Sequence, residues 1–405
     1  MLDPTRANRA PYIWYLTSSS LWMAGMSLQG FLFTWLLVGI LERPADEAGF
    51  ARSLAEFPPL VMLLLGGLLG DRYNGRSYLS VMHILMALPP LLVCYVYLDD
   101  ALSYWWVVAF GMVMAGIQSL SDPARQAMLS RVATLDLQRS VTIMVICTTL
   151  VGQFGVYLGG RLESVGLATV LVCQSALFLA GLGAVRALPS MPATHTGSQE
   201  RPRIGEGLKI VWRSKLIRDL ITLNFISSLF NAGAYIIGLP YIVREVYQGD
   251  AAFYAMVMIV FSIGSIGSNV GLLYFMPLRF PGRLYLLLQL TRIGVLGLLW
   301  LKPPLWLFYL LMVAWGLNMG VTTTLVRSTV QELADAKYRS QILSVLLLSF
   351  IVSSPISSIL LGVLIAQSSP MTALLPGIFI SLLIFVLGVM GSGLWNYRSI
   401  SADQK

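Results

Sequence analysis

In the stretch SLSDPARQAMLSR, Asp122 and Arg125 stand three residues apart. On a helix that spacing puts both on one face. A carboxylate and a guanidinium so placed can pair with each other, or the carboxylate can carry a proton. The other candidates for proton work are Glu56, Glu245 and His83. Imidazole is the side chain whose ordinary titration lies nearest neutral pH, although a histidine of this kind also serves as a hydrogen-bonded packing residue. Arg292 stands alone in an apolar run. A charge inside a membrane segment is a functional candidate by default; the duller alternative is an arginine paired to a carbonyl or carboxylate. Enzyme chemistry finds little support. The chain has two histidines, His83 and His195, and no G-x-S-x-G, no metal-spaced ligand cluster and no G-x-x-x-x-G-K-[ST]. No metal and no cofactor is expected.

These few groups matter because of what surrounds them. The 405 residues are 57% hydrophobic and 11% charged, against about 25% charged in a soluble domain. Such a chain cannot cover itself with polar groups, so part of its solvent must be lipid. A bilayer core needs about 20 apolar residues per helix. That length selects twelve segments, at 12–41, 51–70, 77–98, 103–124, 140–162, 165–187, 220–243, 252–276, 284–301, 305–326, 340–366 and 371–395. The first apolar run is too long for a cleavable leader, whose core is about 7–15 residues. Cys94, Cys147 and Cys173 all fall inside spans and read as small packing residues. The net charge of +8 lies between the spans and forms no basic patch with stacking aromatics, so no nucleic-acid partner is expected. With both termini in the cytoplasm, the inner segments hold 21 Lys and Arg and the outer ones 5, the expected positive-inside bias.

The chain also repeats itself. Residues 19–30, SSLWMAGMSLQG, match residues 227–238, SSLFNAGAYIIG, at six of twelve positions, among them Ser19/Ser227 and Gly25/Gly233. Arg139-Ser140 and Arg339-Ser340 open spans 5 and 11 in the same way. The predicted organisation is an all-α membrane protein of two pseudo-symmetric six-helix bundles. These are an N-terminal bundle at 1–188, a cytoplasmic linker at 189–219 and a C-terminal bundle at 220–405. In the linker, GLKIVWRSKLIRDL reads either as a basic helix on the inner membrane surface or as an extension of span 7. Two such bundles suit alternating access to a midplane site, with Gly25 and Gly233 allowing close helix approach.

Residues 66–76, GGLLGDRYNGR, lie between spans 2 and 3. They resemble the loop signature G-x-L-A-D-R-x-G-R of the major facilitator superfamily, in the D-R-x-x-R form of its drug, macrolide and siderophore exporter branch. Gly67, Leu69, Asp71, Arg72, Gly75 and Arg76 carry the match. The resemblance implies twelve helices and a conformational latch formed by Gly67, Asp71, Arg72, Arg76, Arg125 and Arg339. A carboxylate at Asp71 can pair with arginines and with a helix N-terminus. The D-P-A-R pattern at 122–125 resembles the same branch, and Pro123 is expected to interrupt or kink span 4. In span 5, Gly152, Gly155 and Gly159 read as a packing seam and partly resemble the exporter signature, with Val156 where the proline belongs. Two positions depart from the family: Met112 replaces the span 4 arginine of drug–proton antiporters, and Met26 replaces an acid after Gly25.

Spans 1, 4, 7 and 10 should line the substrate path. Their polar and aromatic residues are Trp22, Gln29, Phe33, Gln118, Phe230, Asn231, Tyr235, Asn318, Thr322 and Thr323. This set is uncharged and aromatic-rich, which suits a small amphipathic solute. The expectation is a monomeric secondary transporter in a bacterial-type inner membrane. It would exchange protons for a drug-like or siderophore-like molecule, in the export direction, while in contact with membrane lipids. The alternative is a transporter of lipid or lysophospholipid on the same fold.

Overall fold

The computed structural model describes residues 10–62, 73–133, 137–190, 204–335 and 338–399. Among these residues every regular element is helical. Helix α1 (Ala10–Trp35) continues into a π-helical turn, Leu36–Ile40. Helix α2 (Ala45–Ala55) is followed by a further helical stretch at 57–62. Then come α3 (Gly75–Leu98), α4 (Tyr104–Val132), α5 (Leu137–Gly160) and α6 (Leu167–Arg186). A linker helix, Ile204–Arg213, leads into α7 (Lys215–Gly233), which continues through π turns at Ala234–Gly238 and Ile242–Val246. The second half is completed by α8 (Ala251–Phe275), α9 (Pro281–Trp300), α10 (Leu305–Leu333), α11 (Arg339–Gln367) and α12 (Leu374–Gly391).

Eleven helices among the described residues are long and apolar enough to cross a membrane. The remaining expected span, 51–70, runs into residues 63–72, outside the described set. The ends follow local chemistry. Asn74 caps α3 by accepting from the Arg76 amide at 3.1 Å, satisfying one of the amides that a helix start leaves unpaired. Pro281 opens α9 at a position where its missing N–H costs nothing. Span 12 stops at Gly391 rather than 395, because Gly393 turns the chain at φ +74°, a conformation glycine adopts without strain.

Span 4 differs most from expectation. Helix α4 runs unbroken through Pro123 to Val132, eight residues past the predicted end at 124. Proline disturbs the preceding turn of a helix, and in a membrane the freed groups must be answered by neighbours. Here the Tyr78 hydroxyl donates to the Leu120 carbonyl at 3.0 Å. The carbonyl that Pro123 frees is that of Ser119, so this bond braces the disturbed turn from α3 without replacing the lost one.

The chain divides into two compact units. One comprises 1–43, 54–199 and 249–256; the other comprises 44–53, 200–248 and 257–405. In the first, α1 packs on α4, α5 and α6, and α3 packs on α4 and α6. In the second, α7 packs on α10, α11 and α12, and α9 packs on α10 and α12. The two packing schemes are the same with six added to each number. The backbone repeats too, since the π turn at Leu36–Ile40 answers the one at Ile242–Val246. So does a motif at the start of α3 and α9 that the sequence reading overlooked: Gly75-Arg76-x-Tyr78-Leu79 and Gly282-Arg283-x-Tyr285-Leu286.

Small residues set the closest approaches. A Cβ on Gly155 would meet the Ala24 carbonyl of α1; one on Gly152 would lie 2.9 Å from Ser27 Oγ, and one on Gly159 would strike the Phe31 ring. Gly25 faces the Phe178 ring of α6, whereas Gly233 faces Ser357 of α11. The two glycines of the repeat thus meet different partner helices. In the second unit Gly49 of α2 backs onto Ser358 and Gly362 of α11. The linker helix packs on α11 and buries Val211, while Trp212 and Leu208 stay exposed.

Candidate functional site

Each unit contains a buried knot of polar side chains centred on an arginine. In the first, Gln118, Ser121, Asp122 and Arg125 share a face of α4, at a spacing of one to two turns. Helix α1 brings Tyr15, Ser18 and Trp22 to that face, and α3 brings His83. Arg125 is 8% exposed. Its Nε donates to Ser121 Oγ at 2.9 Å, and its Nη2 lies 3.1 Å from His83 Nε2. The guanidinium carbon stands 3.7 Å from the centroid of the Trp22 ring, a cation–π contact that gains when desolvated. Tyr15 donates its hydroxyl to the Arg125 carbonyl at 2.8 Å.

These contacts determine how His83 is held. Its Nδ1 lies 2.9 Å from the Phe178 carbonyl, which can only accept, so Nδ1 carries the hydrogen. Its Nε2 then accepts from Arg125 Nη2, and from Ser18 Oγ at 3.0 Å. An imidazole with both nitrogens engaged in this way is the neutral tautomer, acting as an acceptor for the arginine.

Asp122 bonds a different partner. Its Oδ1 accepts from Gln118 Nε2 at 2.7 Å, and Gln118 Oε1 accepts from Trp22 Nε1 at 2.5 Å. Asp122 and Arg125 therefore share a face yet address different partners. An amide and an indole relay the carboxylate to the ring on which Arg125 stacks. The sequence flagged Asp122, Arg125, Gln118, Trp22 and His83 separately; it missed Ser18, Ser121 and Tyr15.

In the second unit Arg292 of α9 is 3% exposed. Its Nε donates to Asn318 Oδ1 at 3.0 Å, and its Nη1 to Ser227 Oγ at 2.7 Å and Gln289 Oε1 at 3.3 Å. Its Nη2 donates to Thr322 Oγ1 at 3.3 Å. Asn318 is itself oriented by donating to the Leu288 carbonyl and to Thr291 Oγ1. Asn231 Nδ2 donates to the Ser227 carbonyl at 2.9 Å. The repeat had marked Ser227 through its identity with Ser19, so that signal was available for the site as well.

The other predicted residues are scattered. Gln29 accepts from Gln174 Nε2 of α6 at 2.9 Å, inside the α1–α6 packing. Phe33 is buried with its ring against Gly111 of α4. Phe230 is half-buried, and Tyr235, in a π turn, packs 4.3 Å from the Phe261 ring. Thr323 is exposed and bonds its own helix at the Met319 carbonyl. Glu56 sits in the turn after α2, and Glu245 is exposed in the second π turn of the α7 span. Of the latch residues, Gly67, Asp71 and Arg72 lie outside the described residues. Arg76 is half-buried at the start of α3, and Arg339 is exposed at the start of α11. Among the described residues no cluster of three or more His, Cys, Asp or Glu could hold a metal ion.

A family model described as Major Facilitator Superfamily matches residues 15–358. No curated protein matches the sequence significantly. Among solved structures, the nucleoside transporter NupG matches with a TM-score of 0.76 at 12% identity, over 96% of this chain and 100% of that one. A bacterial homologue of the iron transporter ferroportin, in an inward-facing state, matches with a TM-score of 0.74 at 12% identity, over 97% and 100%. A bacterial homologue of the human lysosomal transporter Spinster, inward-facing and unoccupied, gives 0.66 at 14% identity, over 96% and 97%. At these identities the likeness is one of fold.

Proposed function

The chain belongs to the major facilitator superfamily and is a multi-pass membrane transporter, not an enzyme; from that premise we propose that it exports a small amphipathic solute in exchange for protons. The observation that carries the proposal is the chain Asp122–Gln118–Trp22 beside Arg125. A carboxylate held by a single neutral amide, one turn from a buried guanidinium, has a reason to ionise and room to take a proton. When it is ionised, the field of Arg125 favours it. When it is protonated, that attraction is lost, and the Gln118–Trp22 contact passes the change to α1.

Amphipathic cargo is supported by Phe230, Asn231 and Tyr235, which pair aromatic surface with a few hydrogen-bonding groups. Export is supported by the GGLLGDRYNGR loop and by the α5 glycines, both of which resemble the exporter branch. The proposed latch centres on Asp71 with Gly67, Arg72, Arg76 and Arg339. Arg125 joins it through α4 rather than by a direct ion pair, since its guanidinium is committed to His83, Ser121 and Trp22. The proposed setting is a bacterial-type inner membrane with both termini in the cytoplasm.

Reconstituted protein tests the coupling. Asp122→Asn should keep substrate exchange across the membrane and lose uphill accumulation driven by a pH gradient. Full pH-driven accumulation by Asp122→Asn would remove Asp122 from the coupling and pass the role to Glu56 or Glu245.

A further inference from the structure

Arg292 is buried within a membrane span, yet all four of its hydrogen bonds run to neutral oxygens, on Asn318, Ser227, Gln289 and Thr322. No carboxylate among the described residues meets it. Amide and hydroxyl oxygens hold a guanidinium in place but do not cancel its charge, and an unpaired charge in a low-dielectric interior is costly. A guanidinium has five N–H donors, so one, on Nη2, is left in reserve.

Polar atoms around Arg292 are left idle, one of them an acceptor, Asn231 Oδ1. The Tyr285 hydroxyl and Asn224 Nδ2 are both buried without a hydrogen-bond partner. Tyr285 lies two turns before Arg292 on the same face of α9, and Asn224 lies one turn before Ser227 on α7. Their residues are 1% and 4% exposed, so neither can be answered by bulk water. The first unit provides the contrast. Tyr78 holds the place in the repeated Gly-Arg-x-Tyr-Leu that Tyr285 holds in α9, and its hydroxyl finds the Leu120 carbonyl. Arg125 has Asp122 one turn away on its own helix. At the matching place the second unit has the same scaffold with a cation, two idle donors and, among the described residues, no carboxylate on the cation.

We propose that Arg292, Tyr285 and Asn224 form a binding site for an anionic group, a carboxylate or a phosphate monoester, carried by the amphipathic solute. The proposal rests on the transport reading above and narrows its cargo to amphipathic anions. Arg292 supplies the charge and a free N–H, while Tyr285 and Asn224 supply further donors. Ser227, Asn318 and Thr322 fix the guanidinium so that little is spent on ordering it when the anion arrives.

Purified full-length protein in a neutral detergent would be titrated with three fluorescent probes. These are dodecanoic acid carrying a nitrobenzoxadiazole tag on its tail, the methyl ester of that acid, and lysophosphatidate with the same tag. The expected result is saturable binding of at least one anion, with the ester about tenfold weaker or worse. Arg292→Gln should weaken anion binding at least about tenfold and leave the ester unchanged, so that acid and ester converge. Arg292→Lys, which keeps the charge but not the fork, should fall between. Tyr285→Phe preserves packing and guards against a misfolded arginine variant; it should weaken only the anions, by roughly three- to tenfold. Preference for the dodecanoate would identify a free carboxylate as the ligand group, and preference for lysophosphatidate a lipid headgroup phosphate. Equal affinity of wild-type protein for acid and ester, or retention of the preference in both Arg292→Gln and Tyr285→Phe, would overturn the anion site and leave amphiphile transport standing. Failure of all three probes to bind saturably would overturn the site and the amphipathic cargo together.

Discussion

At the scale of single residues, His83 decides how the buried guanidinium of Arg125 is held. Its sequence leaves open a proton carrier or a hydrogen-bonded packing residue, and its contacts are those of an acceptor that holds Arg125 against Trp22. Removing it leaves a buried guanidinium N–H unanswered, at a cost of about 1–3 kcal/mol. His83→Leu should therefore lower the unfolding temperature, read by a thiol-reactive dye on Cys94, Cys147 and Cys173 as the spans open. His83→Gln, which restores an acceptor, should recover part of the loss. An unchanged melting curve for His83→Leu would mean that the imidazole does not support Arg125. The sequence revealed which residues were chemically unusual. It could not show that residues 42 apart on α3 and α4 meet, because the apolar character runs all round these helices and leaves their rotation open. Gln29, expected beside the substrate, turns into α6 for the same reason.

At the scale of elements, the spans were largely legible, since about 20 apolar residues leave few alternatives in a bilayer. The end of α4 was not, because Pro123 reads as a stop in the sequence, whereas the packing of α3 braces the helix beside it. Helix contacts depend on which glycines face a neighbour, and that is the testable part. Gly155 sits against the backbone of Ala24, whereas Gly294 of α9 has open space where a Cβ would stand. Gly155→Leu should force α1 and α5 apart and sharply reduce the yield of monodisperse protein in detergent. Gly294→Leu should leave the yield near that of the wild type. Equal yields would show that the α1–α5 crossing tolerates a side chain and does not depend on Gly155. The GRxYL repeat at α3 and α9 is short and its middle position differs, so it stands out only once the two helices are seen to hold matching places.

At the scale of the whole molecule, duplication accounts for both the matching packing schemes and the two polar knots. The knots have diverged: one holds a carboxylate beside its arginine, and the other holds an arginine without one. A duplicated scaffold with different charges in its halves can give proton handling to one unit and cargo recognition to the other. The account also requires the loop at Asp71 to act on the whole cycle. Asp71→Asn should leave folded, membrane-inserted protein and abolish or strongly slow turnover. The measurement that reaches the central claim most directly uses energised inside-out membrane vesicles containing the protein. A panel of drugs, dyes, siderophores and lysolipids would be added while the pH gradient is followed. The account predicts collapse of the gradient with at least one amphipathic class, and loss of that collapse in Asp71→Asn. Transport of such a solute by the wild-type protein with the pH gradient undisturbed would contradict it.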